Sequence, residues 1–340
     1  MTETASVGKK WATLFSGGTD GRAAALSDLR KQLSGRALDV GLRGVSRIAA
    51  LHPRANPDRY GIEILRDIPY GPGGSDHALD IYRPRTADPR APALAPILYL
   101  HGGGFRILSK ETHWGMALAL AHRGHVVFVP NYRLAPGQRF PAAAEDACRV
   151  TLWVLDHAAE HGADTRRLIL AGESAGANLS LVVAIARSWE RPEPWAHDIF
   201  QRRMDLAGIL PACGFLQVSD PGHRGTRGWM RERMFQISGD YLGPAARTPR
   251  ELELADVVSF LEVAPPPVVP LPPLFAICGG ADPVLGDTER LSPAWRALGG
   301  QADHRVYPRG VHAFHAFLWT GAARAAWADQ HAFIDKVLAG

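Results

Sequence analysis

The stretch Leu168-Ile169-Leu170-Ala171-Gly172-Glu173-Ser174-Ala175-Gly176 is an apolar run that breaks into G-x-S-x-G, and a second apolar segment, Leu179 to Ala186, follows it. This order predicts a strand, a tight turn and a helix. In such an elbow the serine is forced into a sharp turn, and glycine at 172 and 176 avoids a clash between the strand and the returning helix. Ser174 then stands at the helix N-terminus. There the backbone N–H of Ala175 points at a reacting carbonyl, and the helix dipole favours negative charge developing on its oxygen.

A second glycine string lies upstream. His101-Gly102-Gly103-Gly104-Phe105 follows the apolar run Ile97-Leu98-Tyr99-Leu100, so it leaves a strand end as a loop with few side chains. Backbone N–H groups can approach a substrate closely there, and Gly102 and Gly103 are the expected donors. Either string alone is a weak signal. Both following strands, in this order, point to a nucleophile and an oxyanion hole.

Outward from these strings the chain alternates short apolar runs with helical periodicity. Strands are expected at Ile62 to Ile68, Ala78 to Tyr82, Ile97 to Leu100, Val126 to Pro130, Leu168 to Ala171, Leu206 to Ala212, Leu274 to Cys278 and His304 to Tyr307. The first two read as an antiparallel opening. Helices are expected at Thr112 to His122, Ala142 to His157, Ala177 to Trp189, Leu285 to Leu298 and Ala322 to Leu338. This alternation means an α/β fold: a mostly parallel central sheet with helices on both faces. Residues 1–51 carry helical patterns, Ala23 to Leu33 and Leu38 to Ile48, ahead of the first strand. Between Phe215 and Pro265 the alternation breaks, and an insertion over the sheet edge, about 216–265, explains it. The expected organisation is an N-terminal helical segment, 1–51, and a catalytic domain, 52–340, carrying that insertion. The Pro-rich run Ala264 to Pro273 reads as a rigid connector into the next strand.

Composition narrows the function. Of 340 residues, 46% are hydrophobic and 21% charged, ordinary for a globular protein. The formal net charge of +4 comes from basic residues interspersed with acids, which argues against nucleic-acid binding. The densest basic stretch, Arg224, Arg227, Arg231 and Arg233, reads as a solvated helix face. Cys148, Cys213 and Cys278 are far apart and lack ligand spacing, so buried thiols are expected and neither a metal nor a disulfide framework. The apolar stretch from Trp11 to Phe15 is too short for a signal peptide, and no run reaches transmembrane length, so a cytoplasmic protein without membrane insertion is expected.

A serine hydroxyl is a poor nucleophile at neutral pH. It needs a histidine to take its proton and an acid to orient that histidine. Asp282, after Phe275 to Gly280, falls at a strand end downstream of the elbow, and His312 follows the next strand through Tyr307-Pro308-Arg309-Gly310-Val311. Asp287 is the rival acid, expected to cap or pair within its helix. His315 is the rival base, expected to pack or cap beside the site.

With these residues in place the sequence resembles the hormone-sensitive-lipase-like group of α/β-hydrolases, bacterial carboxylesterases in particular. His101 to Phe105 matches that group's oxyanion string, and Tyr132-Arg133-Leu134-Ala135-Pro136 with Phe140-Pro141-Ala142 and Glu145-Asp146 a second signature. Gly172 to Gly176 matches the elbow, Asp282-Pro283 the acid turn and His312-Ala313-Phe314 the terminal histidine segment. The resemblance runs from about Ile62 to the C-terminus. It implies an α/β-hydrolase fold with a helical cap, an ester hydrolase with the triad Ser174, Asp282 and His312, a structural role for His101, and scaffold roles for Tyr132 and Arg133. Departures are Glu173 where the group often has Asp, Val284 where Leu is common, and Gly137-Gln138 where Glu-His is common.

The implied reaction is acyl transfer to Ser174 and hydrolysis of the acyl-enzyme, without a cofactor or metal, on short to medium acyl esters. Trp11, Phe15, Phe105, Trp229, Met230 and Phe235 are candidate pocket residues. The expected partner is a small-molecule ester, with a homodimer compatible. An amidase or formamidase could use the same triad. A ligand receptor on this fold would keep the pocket and lose the histidine, and His312 argues against it.

Overall fold

The computed structural model describes residues 39–85 and 92–339. The expected helix Ala23 to Leu33 therefore lies outside the described residues. Eight strands form one sheet in the order β1-β2-β4-β3-β5-β6-β7-β8. β1 (Ile62–Pro69), β2 (Ala78–Pro84) and β4 (Val126–Pro130) pair antiparallel, and β3 (Pro96–Leu100), β5 (Ile169–Glu173), β6 (Gly208–Ala212), β7 (Leu274–Gly279) and β8 (Ala302–Tyr307) continue the sheet in parallel from β4. The antiparallel opening and the parallel body are as expected.

Burial explains the strand compositions. β3, β4, β5 and β6 are buried along their whole length, so they carry continuous apolar runs rather than alternation. Edge strand β8 is covered less well, and its exposure alternates residue by residue up to Tyr307. The helix Ala175–Ser188 is buried nearly all round and is built largely from alanine and branched aliphatics. Helix Ala142–His157 is one-sided, with Ala143, Ala147, Val150 and Val154 inward at helical spacing.

Elements that lacked a clear sequence pattern also fold. Helix Pro194–Arg202 starts on a proline at its first position, which is pre-set for the helical φ, and buries Ala196, Ile199 and Phe200. The insertion folds into helices Gly228–Leu242, Pro249–Leu252 and Val257–Val263. The Pro-rich connector is tied down by Trp189 Nε1 donating to Pro265 O at 2.9 Å and Trp295 Nε1 to Pro272 O at 3.0 Å, as expected of an internal strap.

Residues 39–50 are helical and dock on the segment Leu108 to Trp114. Arg43 donates to Leu108 O at 2.9 Å and to Ser109 Oγ at 3.1 Å, and the Leu108 N–H donates to Asp39 at 2.8 Å. Among the described residues no helix is long and apolar enough to cross a membrane. All three cysteines are buried and free.

Candidate active site

The parallel order of the sheet puts the carboxyl ends of β3, β5, β7 and β8 on one edge. Ser174 leaves β5 in a positive-φ conformation, φ 51° and ψ −114°, as the residue that precedes helix Ala175–Ser188. A side chain there is strained. The turn is fixed from both sides, because Ser174 N–H donates to Ala212 O at 2.8 Å and Asn178 N–H donates to Ser174 O at 3.2 Å. Ala175 is the first helical residue, so its N–H has no partner one turn back within the helix.

Asp282 lies just beyond β7 and His312 beyond β8. Their two loops are laced together by Ala281 N–H donating to Gly310 O at 2.9 Å and Gly280 N–H to Tyr307 O at 2.8 Å. His312 Nδ1 lies 3.0 Å from both Asp282 carboxylate oxygens, and Nε2 lies 3.0 Å from Ser174 Oγ. The carboxylate oxygen can only accept, so the proton on the ring sits at Nδ1 and Nε2 is left to accept from the serine. Asp282 also accepts from Val284 N–H at 3.0 Å. Burial works against its charge, but the His312 hydrogen bond and charge together with that N–H hold its carboxyl below the usual range. Burial likewise opposes a charged His312, and the bond to Asp282 and its charge outweigh this and raise the imidazole above its ordinary value.

The oxyanion string follows β3, which is hydrogen-bonded to β5 with Leu100 opposite Gly172. Gly103 adopts φ 111° and Gly104 φ 61°, and a Cβ on Gly103 would fall 2.0 Å from Ile107 O, so only glycine fits the turn. His101 is buried, stacks on Tyr132 at 4.2 Å and has Nδ1 2.7 Å from Gly102 O, while Tyr132 OH donates to His101 O at 2.6 Å. Burial, and His113 beside it, push its pKa down to about 3, so it stays neutral. Arg133 binds Asp146 and Glu145. His101 and Tyr132 hold the loop rather than face it, whereas Arg133 ties its own segment to helix Ala142–His157.

The rivals are placed elsewhere. Asp287 is fully buried, but its partners come from the insertion, not from its own helix. It accepts from Leu216 N–H at 2.8 Å, His223 Nε2 at 2.7 Å and Arg224 at 2.5 Å. This also corrects the reading of the basic stretch: the Arg224 side chain is 1% exposed and anchors the insertion, whereas Arg227 and Arg231 are solvated. His315 is buried with its ring 3.3 Å from Glu173, and it does not touch Ser174.

The pocket candidates divide. Phe105 has no exposed surface and stacks flat on Tyr241 at 3.8 Å, so it supports the loop from below instead of lining an open pocket. Trp229 is 71% and Phe235 44% exposed, the latter under the Arg231 guanidinium, and Met230 is half-buried. Trp11 and Phe15 lie outside the described residues. Ile237, which carried no signal of its own, sits over the oxyanion string, since a Cβ on Gly104 would meet it at 3.2 Å. Arg106 pairs with Asp240 at 2.8 Å and brings the insertion helix onto the same loop.

Cys213 was also missed. Its sulfur, an Asp282 oxygen and a His312 nitrogen lie within 4.8 Å of one another, a donor set a metal could in principle use. The thiol is nevertheless held well above its ordinary pKa, first by its hydrogen bond with the Cys278 thiol and then by burial and the Asp282 charge. The set fits a hydrogen-bonded acid better than a metal centre.

A family model described as the alpha/beta hydrolase fold matches residues 97–316, and the chain belongs to that family. Among curated proteins it is 37% identical over 150 residues to "Esterase LipI" of Mycobacterium tuberculosis, a match covering 43% of this chain and 45% of that one, less than half its length. It is 29% identical over 236 residues to "Acetyl esterase" of Salmonella choleraesuis, covering 68% of each. Among solved structures it superposes on "Bacterial Heroin Esterase" with a TM-score of 0.71 at 21% identity, covering 90% of each chain, a likeness of fold.

Proposed function

We propose that the protein is a serine carboxylesterase acting on short to medium acyl esters through an acyl-enzyme. One observation carries this reading: a single imidazole, His312, reaches Ser174 Oγ with one nitrogen and Asp282 with the other, each at 3.0 Å.

Ser174 Oγ attacks the ester carbonyl carbon while His312 Nε2 takes its proton. The carbonyl π pair moves onto oxygen, which accepts from the N–H groups of Gly102, Gly103 and Ala175. Asp282 stabilises the imidazolium without accepting its proton. When the intermediate collapses, the bond to the alkoxy oxygen breaks, His312 gives the proton to that oxygen and an alcohol leaves. Water then attacks the acyl carbon, losing a proton to His312. The second collapse returns that proton to Ser174 Oγ and releases a carboxylic acid. Substrate, water and the chain's own groups balance every step.

The small acyl range is supported by the acetyl esterase relative and by the insertion helix, whose Ile237 lies against the oxyanion string. Residues 39–50 with the insertion would form the cap. Nitrophenyl acetate, butyrate and palmitate, assayed beside a nitroanilide, test the proposal. Turnover of the short esters well above the palmitate and the anilide is expected. No ester turnover, or faster anilide cleavage, would overturn it.

A further inference from the structure

Glu173, the residue before the nucleophile, is a buried carboxylate that the reaction above does not use. One oxygen lies 2.6 Å from His113 Nε2, and the other accepts from Tyr99 OH at 3.0 Å. His315 Nε2 lies 3.3 Å from the same carboxylate. His113 is itself buried, and its Nδ1 lies 3.0 Å from the carbonyl oxygen of Ser109. Thr112 Oγ1 lies 2.9 Å from the same Nδ1, but its one proton goes to Ser109 O at 2.7 Å, so both oxygens facing Nδ1 accept and Nδ1 carries a proton. Nε2 faces a carboxylate at charge-assisted distance, so it carries one too, and the ring is an imidazolium. The other groups facing it are Tyr99 and the neutral His101, 5.4 Å away ring to ring.

These two residues grip both ends of the oxyanion loop. A Cβ on Gly102 would fall 2.8 Å from Glu173 Cγ and 2.9 Å from Oε1, so the Gly102 backbone rests directly on the carboxylate arm. His113 holds the far end through Ser109. We infer that Glu173, locked in an ion pair with His113, is a positioning residue that fixes the loop Gly102 to Ser109 against the nucleophile. Burial alone would discharge both partners. For each, the charge and hydrogen bond of the other outweigh it, so Glu173 is held well below and His113 above its ordinary value. An aspartate here would be one C–C bond shorter, roughly 1.5 Å, too short to keep the 2.6 Å contact with the backbone in place.

The positioning role rests on the esterase reading, and the ion pair does not. Nitrogen-15 NMR of the histidine rings in the full chain, with His113 assigned by the signal missing in His113→Gln, tests the pair directly. Both His113 nitrogens protonated at neutral pH in the native chain, and a neutral ring in Glu173→Gln, are expected. A neutral His113 in the native chain overturns the inference whatever the protein's activity. Kinetics then read the positioning. Glu173→Gln and Glu173→Asp should each lower kcat on a nitrophenyl ester about tenfold or more with KM within about twofold. The Glu173→Gln/His113→Gln double variant should lose no more than the poorer single variant. An unchanged kcat in Glu173→Gln, or losses that multiply in the double variant, overturns it. Absence of turnover in the native chain, with an imidazolium His113, counts against the esterase reading alone and leaves the pair supported.

Discussion

Gly176 lies so close to the end of β3 that a Cβ on it would fall 1.9 Å from the carbonyl oxygen of Leu100. Gly172 is also too close for a side chain, with its Cβ position 2.5 Å from Gly176 O. The helix that carries the elbow thus returns against the strand that launches the oxyanion string, and the two glycines are what let it. Gly176→Ala must push backbone away from backbone, and it is expected to destabilise the chain by at least the ~1–3 kcal/mol of overpacking. Urea unfolding followed by circular dichroism checks this. An unchanged midpoint would mean that the strand and helix can part without loss.

The two candidate bases separate by geometry. His312 touches both Ser174 and Asp282, whereas His315 lies against Glu173. His312→Ala should lower kcat by about a thousandfold or more, as loss of a triad member does, and His315→Ala should keep most of it. Comparable losses in the two variants would contradict this assignment.

The pH dependence follows from the direction of the His312 shift. In the proposed mechanism His312 acts as base in its neutral form, so kcat/KM is expected to fall as pH drops through its pKa. Asp282 raises that pKa, which places the acid limb above the ordinary histidine value of roughly 6.5. In Asp282→Asn the charge is gone and burial remains, so the His312 titration, read by proton NMR, should move down. Stability has its own sign. A raised His312 pKa contributes stability below the unfolded value, which is lost as pH rises through the folded one. Asp282, with its pKa lowered, contributes above its unfolded value and loses the contribution in acid. An unmoved His312 titration in Asp282→Asn would contradict the coupling.

Asp287→Ala leaves the guanidinium of Arg224 buried without its counter-charge, though still donating to Gln217 O, and takes the acceptor from the Leu216 N–H. The expected loss is about 3–5 kcal/mol of stability, the scale of breaking a buried ion pair from one side. Proteolysis should then cut first in the insertion near His223. A loss under ~1 kcal/mol would show that the insertion is held mainly by its apolar contacts.

The sequence made legible what is local and periodic. The two glycine strings and the apolar runs of β3 to β7 are each read within a few residues, because turn sterics and burial act over that range, and Ser174, Asp282 and His312 are found by the strand end that each one follows. Distant pairings left no such trace. Glu173 and His113 are 60 residues apart, and Arg224 finds Asp287 63 residues on, so one looked like a motif variant and the other like solvated charge. The insertion helix Gly228–Leu242 buries only Ser238 and Tyr241 completely, which leaves no apolar period to find. Helix Pro194–Arg202 was not expected either, although proline at its first position and Ala196, Ile199 and Phe200 on one face are signals that could have found it.

The central claim is that Ser174 is the nucleophile of an ester hydrolase. A fluorophosphonate that forms a stable phosphoryl adduct, mapped by peptide mass spectrometry while nitrophenyl butyrate turnover is followed, tests it most directly. The expected result is a single adduct on the peptide containing Ser174, turnover falling in proportion to labelling, and neither adduct nor turnover in Ser174→Ala. Ester turnover that persists with Ser174 fully labelled, or that survives in Ser174→Ala, would contradict it.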